Sequence, residues 1–207
     1  AESDARLVFV SSGGTVYGPD VPVPTPETAP TDPINAYGVS KLAIEKYIAI
    51  SRRQRGLDAI ILRVANPYGP HQNPLRGQGA IAAFLHRALT GEVIEIWGTG
   101  EVIRDYIYIG DLTAALSASA IYDGPHGLFN IGGGSGLSLN DIISKIEPLF
   151  DTPLQVERKP GRPLDVPASI LDISRALEHL GWRPETRIET GLSQTLDWLR
   201  GVIAPRS

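Results

Sequence analysis

The sequence predicts an α/β protein built on a parallel sheet, and three observations carry that reading. Leu7 to Val10 is a short, continuous apolar run, and Leu57 to Val64, containing Ala-Ile-Ile-Leu, reads as another buried strand. Apolar runs of this length without polar alternation suit strands covered on both faces, as in parallel sheets. Between them, Ala36 to about Arg53 carries Leu42, Ala43, Ile44, Tyr47, Ile48 and Ile50 at helical spacing, so strand, helix and strand make one right-handed crossover unit. The first strand also ends in Ser11-Ser12-Gly13-Gly14-Thr15. Small-residue loops at the carboxyl ends of parallel strands are where open α/β sheets meet ligands. The same hydroxyls can instead bond the backbone of a turn.

Composition narrows the function classes. The 207 residues allow one large domain or two small ones, and an apolar content of 42% is ordinary for a globular protein. A net charge of -4 with mixed signs gives no basic stripe, which speaks against nucleic acid or an anionic membrane as the main partner. No apolar run approaches the length that spans a bilayer. With zero cysteines, disulfides and thiolate metal sites are excluded. His71, His86, His126 and His179 lack metal-ligand spacing, so no metal is expected. The chain starts at Ala1, contains no methionine and enters an apolar strand within ten residues, the look of an internal fragment.

The elements follow in order. Gly18 to Pro33 is too rich in proline for regular structure and leads to Asn35, a suitable helix cap. Tyr37 and Lys41 then stand four apart, one above the other on one helix face. A cation beside a phenol favours the phenolate, so a tyrosine with an ordinary pKa of about 10 can act as a base nearer neutrality. Glu45 follows Lys41 at a spacing that allows an ion pair, a competing use of the lysine. Gly56 ends the helix. A helix from Ile81 to Leu89, a strand from Val93 to Trp97 and a strand around Ile103 to Tyr108 come next, with Asp111 as cap of the following helix. Arg104 has two readings, an ion pair with a nearby carboxylate or a planar fork on a pyrophosphate. Phe129 to Gly134 reads as strand then glycine turn, weak evidence of phosphate binding. Ser138 and Asp141 form a capping box for a helix to Phe150, Asp172 caps a helix to Leu180, and a last helix runs from about Glu189 to Arg200.

Three linked segments, Ser11-Ser12-Gly13-Gly14-Thr15-Val16-Tyr17-Gly18, Tyr37-Gly38-Val39-Ser40-Lys41-Leu42-Ala43-Ile44-Glu45 and Arg63-Val64-Ala65-Asn66-Pro67-Tyr68-Gly69-Pro70, resemble the extended short-chain dehydrogenase/reductases that act on nucleotide sugars. Within that superfamily the chain is most similar to the UDP-glucose 4-epimerases. The resemblance implies the C-terminal part of a Rossmann-like parallel sheet plus a smaller α/β substrate-binding domain. Residues 1–70 and about 103–135 would belong to the first, and 71–102 with 136–207 mainly to the second. It implies NAD as cofactor, a nucleotide sugar as substrate, a cytoplasmic protein and a homodimer in the intact protein. Tyr37 would be the base and Lys41 its electrostatic partner and a contact of the nicotinamide ribose, with Ser11, Val64 and Asn66 also on the cofactor. Asn66, Ile81, Arg104, Arg162 and Asp165 would hold the substrate, the two arginines at its diphosphate and Asp165 at a ribose.

Two departures qualify the expectation. The family's G-x-x-G-x-x-G turn, where a pyrophosphate rests on a helix N-terminus, is absent. The 207 residues alone are therefore expected to bind NAD poorly and to associate through an open strand edge. The family's catalytic serine or threonine, three residues before the valine of Val-Tyr-Gly, is Gly13 here. Ser12, which adjoins the gap, is the preferred substitute and Thr15 the second. Gly14 and Thr15 carry none of the acids that, by the resemblance, dehydratases place in this loop, so epimerisation at C4 through a 4-keto sugar is favoured over dehydration. Two rivals remain, a nucleotide-sugar dehydratase or reductase of the same superfamily and an inactive fragment lacking the fingerprint.

Overall fold

Residues 5–76, 79–161 and 166–203 are described by the computed structural model of the chain. Its first sheet is parallel, with β2 (Ala59–Val64) between β1 (Leu7–Ser12) and β6 (Leu128–Ile131). Every residue of β2 is buried, Arg63 included. β1 is a sheet edge among the described residues, and Leu7 and Val10 are each about two-fifths exposed. Ser12 leads into a single turn, α1 (Gly13–Val16), in place of the expected loop.

The helix α2 (Ala36–Arg55) has the ends that its sequence demands. The side chain of Asn35 accepts the N–H of Gly38, and Gly56 closes the helix in the left-handed conformation with φ of 65°. Its apolar stripe behaves differently from expectation. Only Gly38, Glu45 and Ile48 are buried, while Ile44, Tyr47 and Ile50 lie open on a face that nothing covers among the described residues. Gly38 is where the helix touches the α1 turn: a Cβ there would sit 2.5 Å from the carbonyl oxygen of Thr15.

The buried Glu45 does not pair with Lys41. Its carboxylate accepts from Arg63 of β2, with the Nη2 contact at 2.7 Å, and from the hydroxyl of Ser11. Both members of the pair are about 5% exposed. The Arg63 guanidinium also lies 4.6 Å from the centre of the Tyr17 ring, and the Tyr17 hydroxyl donates to Asn130 of β6 at 2.6 Å. Asn130 in turn donates from its amide to the carbonyls of Thr25 and Asp172, and from its backbone to Glu27. A polar chain thus runs beneath the carboxyl ends of the strands from α2 to the far side of the sheet.

A second sheet starts where β2 ends. β3 (Asn66–Tyr68) pairs in parallel with β5 (Ile103–Tyr108), which also takes β7 (Gly136–Ser138) antiparallel and β9 (Ala168–Ser169) parallel. β4 (Ile94–Trp97) and β8 (Val156–Lys159) make a separate parallel pair. The helices α3 (Ala80–Thr90), α5 (Leu139–Ile146) and α7 (Ile188–Ile203) enclose a core around Ile81, Leu85, Ile142 and Leu196. α5 carries the expected capping box of Ser138 and Asp141, and is shorter than expected because a 3₁₀ turn containing Pro148 replaces its end.

The first core gathers Leu62, Val64, Phe129 and Ile131 with Leu112 of α4 (Ile109–Ile121) and Ala176 of α6 (Ser174–Leu180). Leu171 and Trp182 join it too, so residues 171–182 contribute to the core beside the first sheet. Asp111 is a correction. It sits inside the first turn of α4, and its carboxylate accepts from the backbone and hydroxyl of Thr186, tying down the segment before α7. Asp172 lies two residues before α6 and accepts from the backbone and hydroxyl of Ser174, the helix's first residue.

Asp105 holds three segments together. Its side chain is buried, accepting from Gly133 at 2.6 Å and from Leu171 at 3.1 Å. Burial pushes its carboxyl up to about 6, against the opposing pull of the amides of Leu171, Gly133 and Gly134.

Two predictions follow from these buried groups. Glu45→Ala leaves the Arg63 charge buried and unpaired, so urea unfolding should show a loss of about 3–5 kcal/mol; a loss below about 1 kcal/mol would show that the pair does not hold α2. For Asp105 the folded pKa lies above the unfolded value of about 3.9, so its stabilising contribution is complete below that value and vanishes as pH rises through 6. The stability difference between the parent protein and Asp105→Asn should therefore shrink by about 2–3 kcal/mol from pH 4 to pH 7. A difference independent of pH would contradict the assignment.

Candidate active site

The carboxyl ends of β1 and β2 and the start of β3 open onto a cavity of about 210 Å³. Ser12, Thr15 and Asn35 line one side of it, Asn66 and Arg104 the other. A wider cavity of about 420 Å³ lies between β4, β5 and α3, lined by Ile81, Phe84, Arg87 and Trp97. Asn66 and Arg104 line both cavities, so the two adjoin there in a two-part cleft. The cleft has a hydroxyl-bearing end, a cationic middle and an aromatic end.

Each wall is held by the fold. Asn66 donates from its amide to the carbonyl of Asp105 at 2.8 Å. Arg104 donates from Nη1 to the carbonyls of Ile103 and Val166, at 2.9 and 2.7 Å, so it is anchored on the backbone as it spans the cavities. Arg87 is tethered to the Val93 carbonyl and lies 3.8 Å from Glu95. Trp97 ends β4 half-exposed, and its aromatic surface borders the wide end. Alternation along β5 sends Arg104 to the cleft and Asp105 to the opposite side.

Tyr37 and Lys41 stand beside this cleft and line neither cavity. Tyr37 is 56% exposed, with the Lys41 ammonium 5.6 Å from its ring centre. Lys41 donates to the carbonyl of Val10 at 2.9 Å and lies 5.1 Å from the Phe9 ring. Pair and strand edge face the same open side, next to the narrow end that Asn35 borders.

Several residues singled out by sequence sit elsewhere. The Ser11 hydroxyl is buried and committed to Glu45, and Val64 is a core side chain 3% exposed, so neither side chain is available to a cofactor. The glycine turn at Gly132 to Gly134 wraps the Asp105 carboxylate; Gly133 donates to it, and a Cβ on Gly132 would lie 2.3 Å from Oδ2. That turn is therefore filled by an internal anion. Gly13 points into the core, where a Cβ would lie 2.6 Å from Leu171 Cδ1. Ile81 does line the wide cavity. Arg162 and Asp165 fall outside the described residues. Sequence reasoning missed Trp97, Phe84 and Arg87; an aromatic residue directly before Gly98-Thr99-Gly100 was the available signal.

Tyr37, 56% exposed, and Lys41, which donates to the Val10 carbonyl, lie at the open edge of β1. Of the glycine turns that follow strands among the described residues, the one after β6 is taken up by Asp105, and in the one after β1 Gly13 packs against Leu171. Among the described residues no group of three or more His, Asp or Glu could hold a metal ion, and no helix is long and apolar enough to cross a membrane.

Similarity to known proteins extends over nearly the whole chain. The UDP-glucose 4-epimerase of Mycolicibacterium smegmatis is 34% identical over 94% of the chain and 62% of its own length. The dTDP-4-dehydro-6-deoxyglucose reductase of Escherichia coli is 35% identical over 94% of the chain and 61% of its own length. The crystal structure of UDP-glucose 4-epimerase from Thermotoga maritima with UDP-glucose superimposes with a TM-score of 0.90 at 39% identity, covering 96% of this chain and 64% of that one. The chain thus spans about three fifths of the length of these relatives. Residues 1–132 match the NAD dependent epimerase/dehydratase family, and the chain, with its Rossmann-like α/β architecture, belongs to that family.

Proposed function

We propose that the chain carries the sugar-nucleotide cleft and the catalytic tyrosine-lysine pair of an NAD-dependent nucleotide-sugar 4-epimerase acting on substrates of the UDP-glucose and UDP-galactose type. The observation that carries the reading is the pair of adjoining cavities that share Asn66 and Arg104. Its three parts match a sugar, a diphosphate and a nucleobase in that order. The planar guanidinium of Arg104 suits two phosphate oxygens, and the face of Trp97 suits a flat base.

In this mechanism the sugar lies at the hydroxyl-bearing end, within reach of α2. Tyr37, as phenolate, takes the proton from the C4 hydroxyl and returns it after the sugar has turned. Lys41, fixed by the Val10 carbonyl, keeps a positive charge beside that oxygen through both steps. When bound, NAD supplies reversible hydride acceptance at C4, with no net redox change over the cycle. Tyr37 and Lys41 would hold its nicotinamide end, and the rest of the dinucleotide requires binding groups beyond the described residues. Two copies of the intact protein would pair through the uncovered face of α2, a reading that Ile44, Tyr47 and Ile50 support, and the same proposal places the protein in the cytoplasm.

A reductase is the second reading, favoured by the Escherichia coli relative. Product analysis separates the two. Incubation of the intact protein with NAD and UDP-glucose should yield UDP-galactose without accumulation of NADH; a product of changed oxidation state would favour the reductase. Binding tests the cleft independently of turnover. In titration calorimetry, Arg104→Ala should weaken UDP about 10- to 100-fold, from the loss of charge-assisted hydrogen bonds, and barely change uridine. An equal loss for both ligands would place the guanidinium away from the diphosphate.

A further inference from the structure

We infer that a third cavity, beside the cleft, binds a neutral polyhydroxylated ring, the chemistry of a free monosaccharide. The cavity measures about 320 Å³, at the small end of the range for ligand sites, about 300–1,000 Å³. Alternation along β5 leads to it. Arg104, Tyr106 and Tyr108 share one face of the strand, and their surroundings change along the row. Arg104 lines the narrow and wide cavities, Tyr106 the wide and the third, and Tyr108 only the third of these. Tyr68, opposite Tyr108 in the parallel register of β3 and β5, also borders the wide and the third. Tyr68 and Tyr106 therefore form the wall shared with the cleft. The other sides come from Ser135 in the turn after β6, from Lys145 of α5 and from the segment that enters α7.

This wall carries hydroxyls that the protein leaves unused. Tyr106, Tyr108 and Ser135 make no side-chain hydrogen bond among the described residues. Burial, seconded at Tyr68 and Tyr108 by the Asp111 carboxylate, raises the phenols of Tyr68, Tyr106 and Tyr108 above their ordinary value. Each thus stays a neutral hydroxyl, able to donate and to accept. The charges of the wall balance, with Lys145 and Arg187 against Asp111 and Glu185. Three of the four are engaged inside the protein. Lys145 pairs with Glu189 at 2.6 Å, Asp111 accepts from the backbone and hydroxyl of Thr186, and Glu185 lies 3.8 Å from Arg183.

The chemistry of the wall selects its occupant. An ion gains no net attraction from balanced charges, and an apolar ligand would leave the hydroxyls unpaired. A sugar ring meets both conditions: its hydroxyls exchange hydrogen bonds with those of the wall, and its C–H faces pack on aromatic carbon. Tyr68 and Tyr108 meet edge to face with ring centres 5.7 Å apart, which offers such a ring one aromatic face and one edge. The volume holds one sugar ring and not a sugar with its nucleotide. A sugar held there would touch Tyr68 and Tyr106 on the side away from the cleft.

The test titrates the isotopically labelled 207-residue chain with D-galactose and follows the backbone amides by NMR, which needs neither NAD nor turnover and so stands apart from the epimerase reading. Saturable shifts at millimolar sugar are expected at the amides of Ser135, Leu137 and Thr186. Tyr108→Phe should weaken galactose about 2- to 10-fold, the worth of one hydrogen bond. Ser135→Ala, in an exposed turn, should give a loss of the same size and serves if Tyr108→Phe fails to fold. Sodium phosphate and tetramethylammonium, as ionic probes, should give no saturable shifts at these amides. The inference is overturned by a chain that shows no saturable galactose binding, by shifts at Ser12 and Ala83 alone, or by an affinity unchanged in both variants. Either ionic probe binding these amides more tightly than galactose overturns it as well.

Discussion

The ion pair between Glu45 and Arg63 is the interaction on which the arrangement around the candidate site depends. Desolvating two charges is unfavourable, and here it is offset by a forked contact, by the hydroxyl of Ser11 and by the ring of Tyr17. Those partners come from α2, from β1 and β2 and from the stretch just after α1. The pair therefore sets the distance between the helix that bears Tyr37 and Lys41 and the loop that bears Ser12 and Thr15. It also decides what Lys41 does. With Glu45 engaged by Arg63, the lysine turns to the Val10 carbonyl at the strand edge and stays beside Tyr37.

The cleft is a seam between two cores, and β5 is the element common to both sides. Arg104 and Asp105 are neighbours in sequence and opposed in space. One spans the ligand cavities; the other is clasped by backbone amides of Gly133 and Leu171. An anion so held draws the glycine turn and the segment before α6 against β5, and so fixes the strand from which Arg104 projects. Trp182 and Thr186 brace the same region from the C-terminal side through Asp111.

Two surfaces stand apart from this closure. The edge of β1 and the outer face of α2 expose Leu7, Val10, Ile44, Tyr47 and Ile50, apolar side chains that a packed interior would normally take in. Tyr37 lies on that same side, so the candidate base is placed where the described residues leave the molecule open.

Much of this was legible from local signals. Continuous apolar runs identified β1 and β2; Asn35, Gly56 and the Ser138–Asp141 box marked helix ends, because a cap is satisfied by residues three or four positions away. Linked motifs singled out Tyr37, Lys41 and Asn66 as candidates. What only the tertiary structure decided concerns groups whose partners lie far along the chain. Glu45 had Lys41 one turn away and chose Arg63 from the neighbouring strand; the glycines after β6 looked like a phosphate turn and enclose Asp105; Gly13 looked like a missing hydroxyl and is a space filled by Leu171. Sequence spacing determines which residues can share a face, since that follows from helix and strand periodicity. Which neighbour a buried charge pairs with, and which way a loop residue points, is determined by the packing that removes water from around it.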